Sequence, residues 1–236
     1  MNFESLQQKV CEANKEIHRI QLAILTWGNA SEVDREKGVF AIKPSGVSYE
    51  NLNPADIPIV SLETGKKLTG ELTPSSDTET HLELYRQFPE IGGIVHTHSP
   101  FGTAWAQAQR AIPCLGTTHA DTFYGAIPCT RPLTKAEIED GYERNTGKVI
   151  VEHFRQHKLK AMEIPGVLVS AHAPFTWGKD ALQAVTHAQI LEEVATMALN
   201  TIAINPDISP VDSHLLDKHY LRKHGAQATY GQINPL

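Results

Sequence analysis

The sequence predicts an α/β protein in which helices cover a central, largely antiparallel or mixed sheet. Three observations carry this. Helical patterns are interspersed with many short strand-like runs. Several of those runs follow one another directly, as neighbours in an antiparallel sheet do. No Gly-x-Gly-x-x-Gly follows a strand and no Walker loop occurs, which leaves dinucleotide and P-loop folds little support. A chain of 236 residues is long enough to bury the core of one large domain, expected over residues 1–236.

Leu6, Val10, Ala13, Ile17 and Ile20 are spaced like one face of a helix. Residues 39–43 read as a strand that Pro44-Ser45-Gly46 breaks into a turn. Residues 57–62 read as another, closed by the turn Glu63-Thr64-Gly65-Lys66. Residues 77–88 read as a helix, with Pro74, Ser75, Ser76 and Asp77 as start signals and Leu82, Tyr85 and Phe88 on one face. Residues 92–98 form the next strand, and 104–110 a helix. Further strands are expected near 112–115, 126–130 and 167–171. Residues 134–157 are helical in pattern but contain Gly141 and Gly147. Residues 179–204 carry a long apolar stripe from Ala181 to Ile202, and 212–224 a polar helix ending at Gly225.

Composition narrows the function. The net charge of −6 argues against nucleic acid or an anionic membrane as the main partner. Cys11, Cys114 and Cys129 are odd in number and widely spaced, which argues against a disulfide framework and fits a reducing cytoplasm. Residues 1–20 carry no signal-peptide core, and no apolar run is long enough to span a bilayer.

His96-Thr97-His98 is the sharpest feature. Residues two apart on a strand share a face, so both imidazoles can reach one ion. Imidazole suits zinc and other first-row divalent metals. His172, at the end of the apolar run 166–171, and Asp77, at a helix start, complete a plausible shell with room for a substrate oxygen. Asp77 could equally be a helix N-cap, and His172 a hydrogen-bonded strand-end histidine. Three small polar turns, at Gly28-Asn29, Ser45-Gly46 and Ser75-Ser76, stand with Lys43 as candidates for a phosphate cradle, although each alone reads as an ordinary loop.

These segments together resemble a known family. Thr26-Trp27-Gly28-Asn29, Ile42-Lys43-Pro44-Ser45-Gly46-Val47, Pro74-Ser75-Ser76-Asp77-Thr78, the run 93–99, Gly116-Thr117-Thr118-His119-Ala120-Asp121 and Pro174-Phe175-Thr176-Trp177-Gly178-Lys179 look like the class II aldolase/epimerase family. The chain is most similar to its L-ribulose-5-phosphate 4-epimerase branch, from about Leu6 to Gln232. The resemblance implies a three-layer α/β/α fold around a mainly antiparallel sheet, in a homotetramer with sites between subunits. It implies zinc, or another divalent metal such as manganese, at Asp77, His96, His98 and His172. It puts the phosphate of a pentulose substrate near Gly28, Asn29, Ser45, Gly46, Ser75 and Ser76, with Lys43 nearby. His219 is a further substrate-side candidate, able to lend positive charge to Tyr230. Proton transfer falls to Asp121 and to Tyr230, the latter from an adjacent chain. Ala173 departs from the usual Gly beside His172, and Thr122 and Thr229 from a common Tyr. A family aldolase acting on a substrate such as L-fuculose 1-phosphate is the main alternative, although such enzymes usually carry Glu where Asp77 stands. A non-catalytic scaffold of the same fold is the other.

Overall fold

Val39, Phe40, Ala41 and Ile42 show no polar alternation, and all four are buried, because the strand they form is covered on both faces. The computed structural model describes residues 2–225 and 228. Seven strands, β1 (Asn29–Asp34), β2 (Val39–Ile42), β3 (Ile59–Ser61), β4 (Lys67–Thr69), β5 (Gly93–His96), β6 (Gly166–Leu168) and β7 (Pro174–Gly178), form one sheet in the order β4-β3-β2-β1-β5-β7-β6. Every neighbouring pair is antiparallel.

The helices are α1 (Glu4–Arg19), α2 (Thr78–Gln87), α3 (Pro100–Gln107), α4 (Thr117–Ala120), α5 (Lys135–Glu139), α6 (Tyr142–Gln156), α7 (Ala181–Ile204) and α8 (Ser213–His224). On one face of the sheet, Ala30 and Val95 pack against Ala13 and Ile17 of α1 and Ala184, Val185 and Ala188 of α7. On the other, Phe40, Ile42, Ile94 and Trp177 meet Leu82 and Tyr85 of α2 and Ile150 and Phe154 of α6. Burying each of these large side chains contributes about 1.5–3 kcal/mol. The result is the three-layer α/β/α class with an antiparallel sheet. The three cysteines are free, and among the described residues no helix is long and apolar enough to cross a membrane.

Strand β1 was not legible as a strand, because Asn29-Ala30-Ser31-Glu32 is mostly polar. Its polar side chains and backbone find partners on neighbouring helices instead. Asn14 of α1 donates to the Ala30 carbonyl (3.0 Å) and accepts from its amide (2.7 Å). Glu32 accepts from the Ala181 amide at the start of α7 (2.9 Å) and from Lys9 (3.0 Å). The carboxylate thereby binds α1 and the positive end of α7 to the sheet.

The expected strands near 112–115 and 126–130 reduce to single bridges, Ile112 with Ile127 and Cys129 with Leu168. The expected helix 104–110 begins earlier, at Pro100, where a first-turn proline needs no amide partner. The region 134–157 divides into α5 and α6 at Gly141, whose φ of 108° no side-chain-bearing residue adopts easily.

Gly93 marks where α7 meets β5. A Cβ there would stand 2.3 Å from the backbone of both Asp180 and Ala181. Gly93→Ala is expected to lower the free energy of unfolding by about 2–3 kcal/mol, read by chemical denaturation. His119, 4% exposed, is pushed down to about 4 by burial, although its hydrogen bond to the Gly125 carbonyl opposes the shift. The unfolded chain therefore takes up a proton there that the folded chain refuses. This contribution is fully present above pH 6.5 and is lost as pH falls toward 4. Between about pH 6.5 and 5 the wild type should lose about 2 kcal/mol more than His119→Gln, which keeps a donor and cannot titrate.

Candidate metal centre and anion subsite

Antiparallel pairing brings distant segments to one end of the sheet. Asn29 of β1 lies opposite His96 of β5, and His96 lies opposite Phe175 of β7. The Phe175 ring stacks on the His96 imidazole at 4.1 Å between centroids. His172 sits in the turn between β6 and β7, beside His96. Its neighbour Ala171 adopts a φ of 58°, so the left-handed position precedes His172. Ala173 follows it without positive φ, and the family's usual glycine is not required there.

The three imidazoles of His96, His98 and His172 bring one ligand atom each within 4.8 Å of one another. The strand ends at His96, so His98 arrives from the segment after it rather than from the same strand face. His96 Nδ1 donates to the Pro174 carbonyl (3.0 Å), which leaves the Nε2 lone pair free, 3.1 Å from His98 Nε2. Burial lowers His98 and pushes His172 down to about 3, so both rings are neutral near pH 7. Neutral imidazoles with convergent lone pairs are the donor set that zinc and related divalent metals take. The residues fit such an ion.

Asp77 faces the same cavity, just before α2. Its side chain does not cap the helix. Instead its Oδ2 accepts from Asn29 Nδ2 (2.7 Å), and the same amide donates to Ser75 Oγ (3.1 Å). Burial would raise this carboxyl, but His96 and the Asn29 hydrogen bond outweigh it and hold it below the ordinary carboxylate range. Among the described residues the cluster within 4.8 Å contains the three histidines; Asp77 lines the cavity wall beside them.

The cavity, about 600 Å³, is lined by every residue expected at the metal and the phosphate: Gly28, Asn29, Lys43, Ser45, Gly46, Ser75, Ser76, Asp77, His96, His98 and His172. Gly28 is needed there. Its φ is 79°, and a Cβ would stand 2.7 Å from the His96 carbonyl. Tyr49 fastens this loop by donating to the Trp27 (2.6 Å) and Gly28 (3.0 Å) carbonyls. Lys43 is 1% exposed, its ammonium 4.8 Å from the Tyr49 ring centre and 3.4 Å from the Pro44 carbonyl. Burial pushes it down to about 8, and among the described residues it has no carboxylate partner. The amides of Gly46 and Ser76 make no hydrogen bond among the described residues. A lone buried ammonium beside free amides and hydroxyls suits an anion.

Asp121 and His219 meet elsewhere. Asp121, at the end of α4, takes His219 Nδ1 (3.0 Å), Arg222 (3.0 Å) and Lys223 (3.0 Å) from α8. Burial would raise this carboxyl, but Lys223, His219 and Arg222 lower it further than burial lifts it. Neither residue lines its own chain's cavity. Tyr230 lies outside the described residues.

Sequence reasoning missed Tyr142 and Glu143, which also line the cavity. The Tyr142 hydroxyl stands 3.2 Å from His172 Nδ1. Both residues open α6, and reading Gly141 as a helix break would have put them at a helix start.

Fold and site together define a family. Residues 8–199 match the model of the class II aldolase and adducin N-terminal domain, and the chain belongs to that family. Its fold is similar to that of an L-fuculose 1-phosphate aldolase, at 23% identity and a TM-score of 0.75 over 91% of this chain and 94% of that one. The L-fuculose 1-phosphate aldolase of Glaciozyma antarctica PI12 is similar at 19% identity and a TM-score of 0.75, covering 95% and 84%. A sugar-phosphate aldolase from Thermotoga maritima follows at 19% identity and a TM-score of 0.66, covering 87% and 97%. At these identities the likeness shows the fold.

Titration of the chelated protein with zinc or cobalt should reach one bound ion per chain. His98→Asn or His172→Asn should weaken that binding more than about 100-fold, beyond the loss of an outer partner.

Proposed function

We propose that this chain is an L-ribulose-5-phosphate 4-epimerase, interconverting L-ribulose 5-phosphate and D-xylulose 5-phosphate. The observation that carries the reading is one cavity with two unlike ends. Three imidazoles and Asp77 line one, and the Lys43 ammonium, with no carboxylate partner among the described residues, stands among polar turns at the other. A pentulose 5-phosphate has matching ends, a ketone beside a hydroxyl and a phosphate.

The fourth carbon is not next to the carbonyl, so its hydrogen is not acidic and direct deprotonation is a poor route. Cleavage of the bond between the third and fourth carbons avoids this. A residue acting as base takes the proton of the fourth-carbon hydroxyl, the C–C electrons pass toward the ketone, and glycolaldehyde phosphate is released within the cavity. A divalent cation held by His96, His98, His172 and Asp77 supplies Lewis-acid stabilisation of the charge that develops on the ketone fragment. Lys43, Ser45, Gly46, Ser75 and Ser76 hold the phosphate while the aldehyde turns. The bond re-forms on the opposite face, and a second group returns a proton to the new hydroxyl.

The hydroxyl points opposite ways in the two epimers, so two proton-transfer groups are needed. Asp121 and Tyr230 fill these roles. Asp121 stands outside its own chain's cavity. In this reading it serves a neighbouring copy, as Tyr230 does, within a homotetramer whose sites lie between subunits.

A second reading has one observation in its favour: solved structures similar to this chain are named L-fuculose 1-phosphate aldolase. The aspartate at position 77 weighs against it, since the resemblance gives such aldolases a glutamate there. Incubation with L-ribulose 5-phosphate decides. The epimerase yields D-xylulose 5-phosphate, and free fragments alone would overturn that assignment in favour of the aldolase. Thorough chelation should abolish turnover. Lys43→Met should raise KM for the phosphorylated substrate more than about tenfold, the loss of a charge-assisted contact.

A further inference from the structure

His81 is fully buried on α2, one turn beyond Asp77, in a site that nothing above assigns to it. Its Nδ1 stands 2.7 Å from Ser31 Oγ, and Ser31 Oγ stands 2.7 Å from the Tyr85 hydroxyl. Ser31, His81 and Tyr85 are all 0% exposed. The other ring nitrogen, Nε2, is buried and has no hydrogen-bond partner among the described residues. A buried polar nitrogen without a partner is rare and costly, so its place asks for an explanation.

The proton arrangement follows from elimination. The ring is neutral, so only one nitrogen carries hydrogen. If Nδ1 were the donor, Ser31 Oγ would accept from it, and either the Ser31 or the Tyr85 proton would be left without an acceptor among the described residues. The bare Nε2 lone pair would also lie in the field of the Asp77 carboxylate, the foremost charge acting on this ring. In the opposite order, Tyr85 donates to Ser31 and Ser31 donates to Nδ1. The chain then closes, and Nε2 carries the proton.

We propose that His81 is a positioning residue for Asp77: the relay Tyr85–Ser31–His81 presents a fixed Nε2–H that takes one oxygen of the Asp77 carboxylate when a divalent cation draws the other away from Asn29. This rests on the metal reading above. Asp77 has only one firm donor, Asn29 at 2.7 Å, and its Oδ1 accepts no hydrogen bond among the described residues. A second donor one helical turn away fixes the carboxylate plane as outer partners of metal ligands do.

Two measurements test it. Long-range ¹H–¹⁵N NMR on histidine-labelled protein should find His81 as the Nε2–H tautomer; an Nδ1–H tautomer overturns the proposal. Cobalt titration against a competing chelator should then separate two variants. His81→Gln keeps a donor near the Nε2 position and should bind within about threefold of wild type, whereas His81→Asn keeps only the Nδ1 side and should bind about tenfold or more weakly. In an Asp77→Asn background this difference should vanish, which a merely structural role for His81 would not produce. Bound cobalt with equal affinities in the two variants overturns the role of His81 alone. A wild-type chain that takes up no divalent cation overturns the metal reading and this role with it. Should His81→Asn not fold, Ser31→Ala removes the relay: mixed tautomers are expected, and a single unchanged tautomer counts against the relay.

Discussion

The register between β1, β5 and β7 is the constraint on which the site depends. It sets Asn29 beside His96 and His96 beside Phe175 at one end of the sheet. A slip of one residue would turn Asn29 and Ser31 to the other face and put Ala30 and Glu32 in their place. Glu32 would then lose the α7 amide, and Asn29 would lose Asp77 and Ser75. The polar side chains of β1 thus fix the register that apolar patterning fixes elsewhere. Unpaired, these groups would be costly to bury, so the alignment that pairs them is favoured.

The fold class was legible because β2, β3 and β5 are apolar runs and α1, α2 and α7 carry regular apolar faces. β1 was hidden by its polarity, since its partners on α1, α2 and α7 are scattered along the chain. β4 was hidden for the opposite reason: Lys67, Leu68 and Thr69 are all exposed at the sheet edge and carry no burial pattern. The residues of the cavity were legible through the family motifs, and three short turns and a histidine pair do converge. The surroundings were less so. Tyr142 and Glu143 depend on a helix break at Gly141, and His81 reads in sequence as one more residue of an amphipathic helix.

The cavity separates its charges. The imidazole end is built from three histidines and one carboxylate, which suits a cation; the Lys43 end holds a buried ammonium with no carboxylate beside it among the described residues, which suits an anion. In a site partly screened from water, both attractions are stronger than at an exposed surface. In the proposed reading a substrate with an oxygen-rich carbonyl end and a phosphate end would be held in one direction only. That would fix which carbon–carbon bond lies near the cation.

Position 77 shows how side-chain length divides two roles. A carboxylate there could hold a cation or remove a proton. Asp77 is short, stands at the mouth of α2, and reaches Asn29 across the gap to β1. An extra methylene would carry the carboxylate past that amide and further into the cavity. Held back by Asn29 and kept below the ordinary carboxylate range, Asp77 stays anionic and is a weak proton acceptor near pH 7. Both properties suit a group that holds a cation. In the proposed reading the two protons that inversion requires are moved by Asp121 and Tyr230 of a neighbouring copy, so a cavity that can bind in one chain would be completed for that chemistry only by the assembly.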